Sequence, residues 1–192
     1  IFIADIADKG IPAALFMALT RTLIRAAVLE TDSPAEALQR VNDLLYPDCQ
    51  QGMFVTAVYG VIDELIGDFT YANAGHNPPI WVQNQAGKRK KKLDFLTRTG
   101  IALGVVDGME MTERTLALAP GDALIFYTDG VTEAFAPNGD VFGEQRLLDV
   151  LSSSGSASAF GLLEAIEQKV NHFMDDLPAS DDITMMAVRR CK

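Results

Sequence analysis

Cysteine is nearly absent from this chain: Cys49 and Cys191 are the only two among 192 residues. Two thiols give no disulfide framework, so a reducing cytoplasm is the default expectation. Basic residues are also few, 16 Lys and Arg against 26 Asp and Glu, and the formal net charge is -10. A field of that sign opposes both nucleic acid and anionic membrane surfaces, so neither is expected as a partner. No apolar run approaches the roughly 18 residues that a bilayer-spanning helix needs. Ile1-Phe2-Ile3-Ala4 lacks a basic flank and reads as a strand, not as a signal peptide. Internal repeats and a glycine-rich phosphate loop with lysine are missing too.

What is present suits one globular domain over residues 1–192, long enough for a sizeable core. The chain opens on an apolar strand without an initiating Met, and it is expected to be a piece of something longer. Residues 1–6 read as a buried strand. Gly10 and Pro12 then start a helix in which Leu15, Phe16, Leu19, Leu23 and Ala26 are expected to form the core-facing stripe. Ser33-Pro34-Ala35-Glu36 is a capping box for a second helix carrying Leu38, Val41 and Leu45. A β-rich middle follows, with a hairpin of 54–62 and 69–73, a strand at 80–82, short strands at 93–96 and 114–118, and an apolar strand at 123–127. Helices at 145–151 and 160–173, the latter with Leu163, Ile166 and Val170, precede a last strand at 183–188. Helices and strands come in blocks and do not alternate, which points to antiparallel sheet packed with helices.

Three acidic segments stand against the strand-like runs: Asp5 to Gly10, Tyr127-Thr128-Asp129-Gly130, and Ser180-Asp181-Asp182-Ile183-Thr184. A strand delivers a carboxylate at its tip with little positional freedom, and converging carboxylates repel unless a cation lies between them. Hard divalent ions favour such oxygen-only shells. Each aspartate also has a plainer explanation as a turn or strand-end residue. Other hydrolytic chemistries fail on residue checks. A cysteine nucleophile needs an arginine six positions on, where Val55 follows Cys49, and Cys191 is followed only by Lys192. An aspartyl-phosphate enzyme needs two aspartates one residue apart after an apolar strand; Ala7 occupies that place after Asp5, and Tyr127 precedes Asp129 at the same spacing.

The string from Asp5 to Arg21, Asp-Ile-Ala-Asp-Lys-Gly-Ile-Pro-Ala-Ala-Leu-Phe-Met-Ala-Leu-Thr-Arg, resembles the first metal motif and first helix of bacterial metal-dependent serine/threonine phosphatases. The likeness is to the SpoIIE/RsbU-type branch of the type 2C protein phosphatase superfamily. Tyr71-Ala72-Asn73-Ala74-Gly75-His76-Asn77-Pro78-Pro79, Tyr127 to Ala134, and Asp181-Asp182-Ile183-Thr184 are similar to further motifs of that branch, in the same order. One such match alone is weak; four in order are specific and cover nearly the whole chain.

The resemblance implies an α+β fold, an α-β-β-α sandwich of two central antiparallel sheets flanked by helices. It implies two divalent metal ions, Mn²⁺ or Mg²⁺, with Asp5 bridging them and the Ile6 carbonyl on the second. Asp129 and Asp181 complete the protein ligands of the first, and Asp182 faces solvent or supports the ligands. Such ions activate a water for in-line attack on phosphorus. The implied substrate is a phosphoserine or phosphothreonine on a small regulatory protein such as an anti-anti-sigma factor. The implied setting is the output end of a cytoplasmic signalling protein with an upstream sensor or receiver domain, homodimerisation being left open. Two other classes stay in view: a non-catalytic module that binds a regulatory partner, and a generic hydrolase of small phosphoesters.

Relatives carry one or more earlier strands with a further acidic motif, so the chain is expected to lack them. Asp8 stands where the branch commonly has a small residue, and it adds charge close to the Asp5 position. His76 invites a general-acid role, but its tight turn suits a structural hydrogen bond. His172 reads as surface, and Lys88-Arg89-Lys90-Lys91-Lys92 as a solvated hairpin tip. The seven methionines read mostly as core filler.

Overall fold

The computed structural model describes residues 1–49, 52–84, 91–154, 158–175 and 177–191. In chain order its elements are β1 (Phe2–Ile6), α1 (Ile11–Ala27), α2 (Pro34–Leu45), a 3-10 turn (Tyr46–Asp48), β2 (Val55–Ile62), β3 (Asp68–Ala74), β4 (Ile80–Gln83), β5 (Lys92–Phe95), β6 (Arg114–Ala117), β7 (Ala123–Tyr127), α3 (Asp129–Thr132), α4 (Gly143–Ser153), α5 (Ala159–Met174) and β8 (Met185–Arg189). The fold is α+β, with five α-helices and two antiparallel four-stranded sheets, ordered β1-β2-β3-β6 and β5-β4-β7-β8. The chain divides into two compact units, residues 1–76 with 97–117 and residues 77–96 with 118–192. Of the basic run, Lys88, Arg89 and Lys90 lie outside the described residues. Among the described residues no helix is long and apolar enough to cross a membrane.

The first unit is built on the β2–β3 hairpin. Its turn closes because one Asp63 side-chain oxygen accepts the amides of Leu65 and Ile66 at 2.8 and 3.2 Å. Helices α1 and α2 cover this sheet, burying Phe16, Ile24, Leu38, Val41 and Leu45 with Val55, Ala57, Ala72 and Ala74. Half of the capping box forms: Ser33 Oγ accepts the Glu36 amide at 3.2 Å and donates to Glu113 at 2.6 Å, whereas the Ser33 amide donates to Thr31 Oγ1 and the Glu36 carboxylate accepts the Thr31 hydroxyl. After β3 the chain turns at Gly75 with φ of 70°, and a Cβ there would lie 2.9 Å from the Ala102 amide nitrogen. Positive φ and the close backbone both favour glycine at this position.

The α1 stripe differs from expectation. Its buried residues are Ala13, Phe16, Thr20, Ile24 and Ala27, whereas Leu15 and Leu19 are exposed and Leu23 is half-buried. Apolar residues occur on more than one face of this helix, so periodicity alone admits two registers. The register that forms puts small Ala13 and Ala27 on the packed side with Phe16 and Ile24. The buried Thr20 hydroxyl is satisfied within the helix, donating to the Phe16 carbonyl at 2.8 Å.

In the second unit β7 lies between β4 and β8, and all five of its residues are buried. This is why its sequence is an unbroken apolar run and not an alternation. Helices α4 and α5 pack Leu147, Leu151, Leu162, Ile166 and Val170 with Ile80, Val82, Ile125 and Tyr127. Leu162, one position before the expected Leu163, faces the core; Leu163 is half-buried. Met109, Met111 and Met174 are buried, and the other four methionines are half-buried.

Ser33→Ala removes the α2 cap and one partner of Glu113. It is expected to cost about 0.5–2 kcal/mol of unfolding free energy, read as a lowered urea midpoint, with Ser33→Thr retaining most of the wild-type stability.

Candidate metal centre

Asp129 and Asp181 both belong to the second unit, at the ends of adjacent strands. Tyr127 and Met185 are the last paired residues of β7 and β8, and beyond them the chains would splay without further ties. Thr128 supplies those ties. Its amide donates to the Thr184 carbonyl at 3.0 Å, and its hydroxyl donates to the Asp182 carbonyl at 2.9 Å. The same hydroxyl oxygen accepts the Thr184 amide at 3.0 Å. Gly130 sits so close to the facing chain that a Cβ would lie 2.5 Å from the Asp182 carbonyl oxygen and 3.2 Å from that of Asp181. Asp129 and Asp181, half-buried, are therefore carried on two backbone segments locked side by side.

Asp5 belongs to the first unit. It pairs directly with Thr56 across β1 and β2, and it is half-buried. Thr56 Oγ1 lies 3.4 Å from the Asp5 carbonyl and 2.9 Å from His76 Nδ1. His76 is 1% exposed. Its amide donates to Asn73 Oδ1 at 2.8 Å, and its carbonyl accepts from Asn73 Nδ2 at 3.2 Å and Arg98 Nε at 3.1 Å. A ring this enclosed and tied fits the structural role weighed for it, fixing the turn after β3 against the strand that faces Asp5. At the end of β1 the Ile6 carbonyl accepts the Asp8 amide at 2.8 Å, which leaves one lone pair for a cation.

The remaining sequence candidates contribute no exposed carboxylate or ring to these contacts. The Asp8 carboxylate accepts the Lys9 amide at 2.7 Å and is exposed. Asp182 is exposed, and its amide donates to Asp181 Oδ1 at 2.9 Å, so its contribution is through the backbone. His172 is exposed on α5. Among the described residues no three His, Cys, Asp or Glu side chains form one group able to hold a metal. Asp129 and Asp181 provide two carboxylates in one unit, and Asp5 and the Ile6 carbonyl provide donors in the other. All are oxygens, the donor type that Mn²⁺ and Mg²⁺ take, so the residues fit these ions. Thr128, Gly130 and Thr56 were not singled out in the sequence, although Thr128 and Gly130 lie inside one of its motifs.

Residues 1–191 match the family model described as Stage II sporulation protein E (SpoIIE). The chain is 34% identical over 218 residues to Protein IcfG of Synechocystis sp., covering 99% of this chain and 33% of that protein. It is 27% identical over 190 residues to the phosphoserine phosphatase RsbU of Bacillus subtilis, covering 99% of this chain and 55% of that one. It thus spans between a third and about half the length of these curated relatives. Among solved structures, the SiaA-PP2C domain of Pseudomonas aeruginosa superposes with a TM-score of 0.79 at 22% identity, covering 98% of this chain and 74% of that chain.

Thr128→Val keeps the shape of the side chain but strips the Asp182 carbonyl and the Thr184 amide of a partner. A loss of about 0.5–1.5 kcal/mol is expected for each of these part-buried bonds, and Gly130→Ala should lose about 1–3 kcal/mol through the clash. Chemical denaturation measures both, and Thr128→Ser should stay near wild type.

Proposed function

The chain belongs to the SpoIIE family and is a phosphatase domain of PP2C type, and from that premise we propose that it hydrolyses phosphoserine or phosphothreonine on a small regulatory protein, with two divalent cations, Mn²⁺ or Mg²⁺, as cofactors. The observation that carries the reading is the pair of strand ends locked by Thr128 and Gly130, which present Asp129 and Asp181 from adjacent segments. Turn residues with no further task have no need of so many ties. Asp5 and the Ile6 carbonyl would be the ligands that the first unit contributes.

When bound, the ions supply an activated water for in-line displacement and positive charge for the phosphoryl oxygens. The protein residues hold geometry. The carboxylates sit on strand ends with little freedom to move, and bound cations would offset any repulsion between them. Thr56 fixes the backbone at Asp5 from the facing strand, and Thr128 does the same between Asp129 and Asp181. No side chain of this set serves as a nucleophile, and no covalent phospho-enzyme is invoked.

The substrate is proposed to be an anti-anti-sigma-like regulator, and the domain the cytoplasmic output of a longer protein with a sensor or receiver domain. The similarity to the phosphoserine phosphatase RsbU over 99% of this chain supports phosphoserine as the group hydrolysed. The net charge of -10 makes local neutralisation by cations a condition for holding any phosphoprotein.

Asp5→Ala is expected to abolish Mn²⁺-dependent turnover of a phosphoserine protein while the metal-free melting temperature holds or rises, because one repelling carboxylate is gone. Wild-type turnover in that variant at saturating Mn²⁺ would remove Asp5 from the site. Asp129→Asn and Asp181→Asn should each weaken Mn²⁺ binding in calorimetric titration, and the double variant should lose much less than the sum, as groups acting as one unit do. Additive losses would place the two carboxylates on separate ions.

A further inference from the structure

Beyond the end of β1 the chain continues beside the start of β2. The Ala7 amide donates to the Phe54 carbonyl at 3.1 Å. Ala7 is two residues past Asp5, about 7 Å along an extended chain. Phe54 is also part of the wall of a cleft of about 510 Å³, lined further by Tyr46, Pro47, Cys49, Met53 and Val105. Two elements close the cleft around Phe54. The 3-10 turn brings Tyr46 and Pro47 from the end of α2. Leu103 exchanges backbone hydrogen bonds of 3.0 and 2.8 Å with Val55 and brings Val105.

The lining residues are mostly apolar in type, the wall surface mixes polar with apolar, and the charges within the two stretches that supply it have one sign. The segments 41–55 and 99–113 contain Asp43, Asp48, Asp107, Glu110 and Glu113 and no Lys or Arg. Asp43, Asp48 and Asp107 are exposed. Of these, Asp48 acts on the cleft wall: burial first, and the Asp48 charge second, push the Cys49 thiol up from its ordinary pKa. Such a cleft complements an apolar side chain carried on a basic segment and repels an acidic one. A volume of this size takes one large side chain with part of its backbone. Its nearness to Asp5 along the chain selects a segment that arrives together with the phosphoester.

We propose that the cleft between Tyr46 and Val105 receives an apolar side chain of the substrate protein, two to about four residues from the phosphorylated residue, with Lys or Arg beside it. This makes Tyr46, Met53 and Val105 determinants of which phosphoproteins are accepted. The inference rests on the phosphatase reading above and goes beyond it to the sequence around the phosphate.

The test uses phosphoserine peptides in which Leu flanked by lysines is walked along both sides of the phosphoserine. Two control sets replace Leu by Ala or the lysines by Glu, and p-nitrophenyl phosphate serves as a substrate too small to reach the cleft. At one position the Leu peptide should have a KM about tenfold below that of its Ala counterpart, the scale of a side chain filling an apolar pocket. The Glu-flanked peptide should be the poorest. Val105→Gln, at an exposed wall position, should erase the Leu preference and leave p-nitrophenyl phosphate turnover unchanged. If p-nitrophenyl phosphate is hydrolysed in Mn²⁺ but Leu and Ala peptides are equivalent, or Val105→Gln retains the preference, the cleft assignment is overturned and the phosphatase reading stands. If the wild-type chain hydrolyses neither the small ester nor any peptide, the phosphatase reading fails and the cleft assignment with it.

Discussion

The hydroxyl of Thr128 is the contact on which the acidic end of the second sheet depends. It donates to the Asp182 carbonyl and accepts the Thr184 amide, joining two chain segments just past the last strand pair. Without it, two segments bearing like charges would separate, since carboxylates repel and strand ends fray. Thr128 is buried and its bonds are partly so, so breaking the contact carries some desolvation penalty as well as the loss of a bond. Gly130 adds a steric condition: the facing carbonyl leaves no room for a Cβ. Thr56 has a comparable place in the first unit, opposite Asp5 and bonded to His76. Next to each proposed ligand strand, then, a threonine secures the backbone that carries the aspartate.

The aspartates were legible in the sequence because each sits in a local string that can be recognised by itself. What secures them was not. Thr128 and Asp182 are 54 positions apart, and Asp5 and Thr56 are 51 apart. A threonine before an aspartate reads as an ordinary turn residue until the partner segment is known. His76 shows the same limit. Its turn was visible from Gly75 and the prolines that follow, but its bond to Thr56 arises only once β3 lies beside β2. The cleft at Tyr46 is a further case, since its walls come from two separated stretches of chain, one running from Tyr46 to Phe54 and the other holding Gly104 and Val105.

For the fold, local signals carried well where one chemical preference dominated. Ala123–Tyr127 is the strand expected from its apolar run, and Ser33 caps α2 as its spacing to Glu36 required. The α1 stripe did not carry, because Leu15 and Leu19 compete with Phe16 and Ile24 for the buried side. Only packing against the sheet breaks that tie, and it does so in favour of the face with small Ala13 and Ala27, with the larger leucines left exposed. The short helix Asp129–Thr132 was read as a turn for a related reason: four residues are too few to show a helical period.

The order in which the chain visits its two units has a consequence for synthesis. The first unit takes residues 1–76 and then 97–117, and the second takes 77–96 and everything from 118 onward. On the ribosome, the first unit can close only when β6 has emerged. By then β4 and β5 have already been made, with β7, the other neighbour of β4, still to come. Those two strands must wait as a hairpin with one open edge, the kind of exposed intermediate that favours mispairing in larger chains. No single cut divides this protein into two halves that each own a complete sheet. Limited proteolysis at one site should therefore leave fragments that associate or fail to fold, not two independent domains.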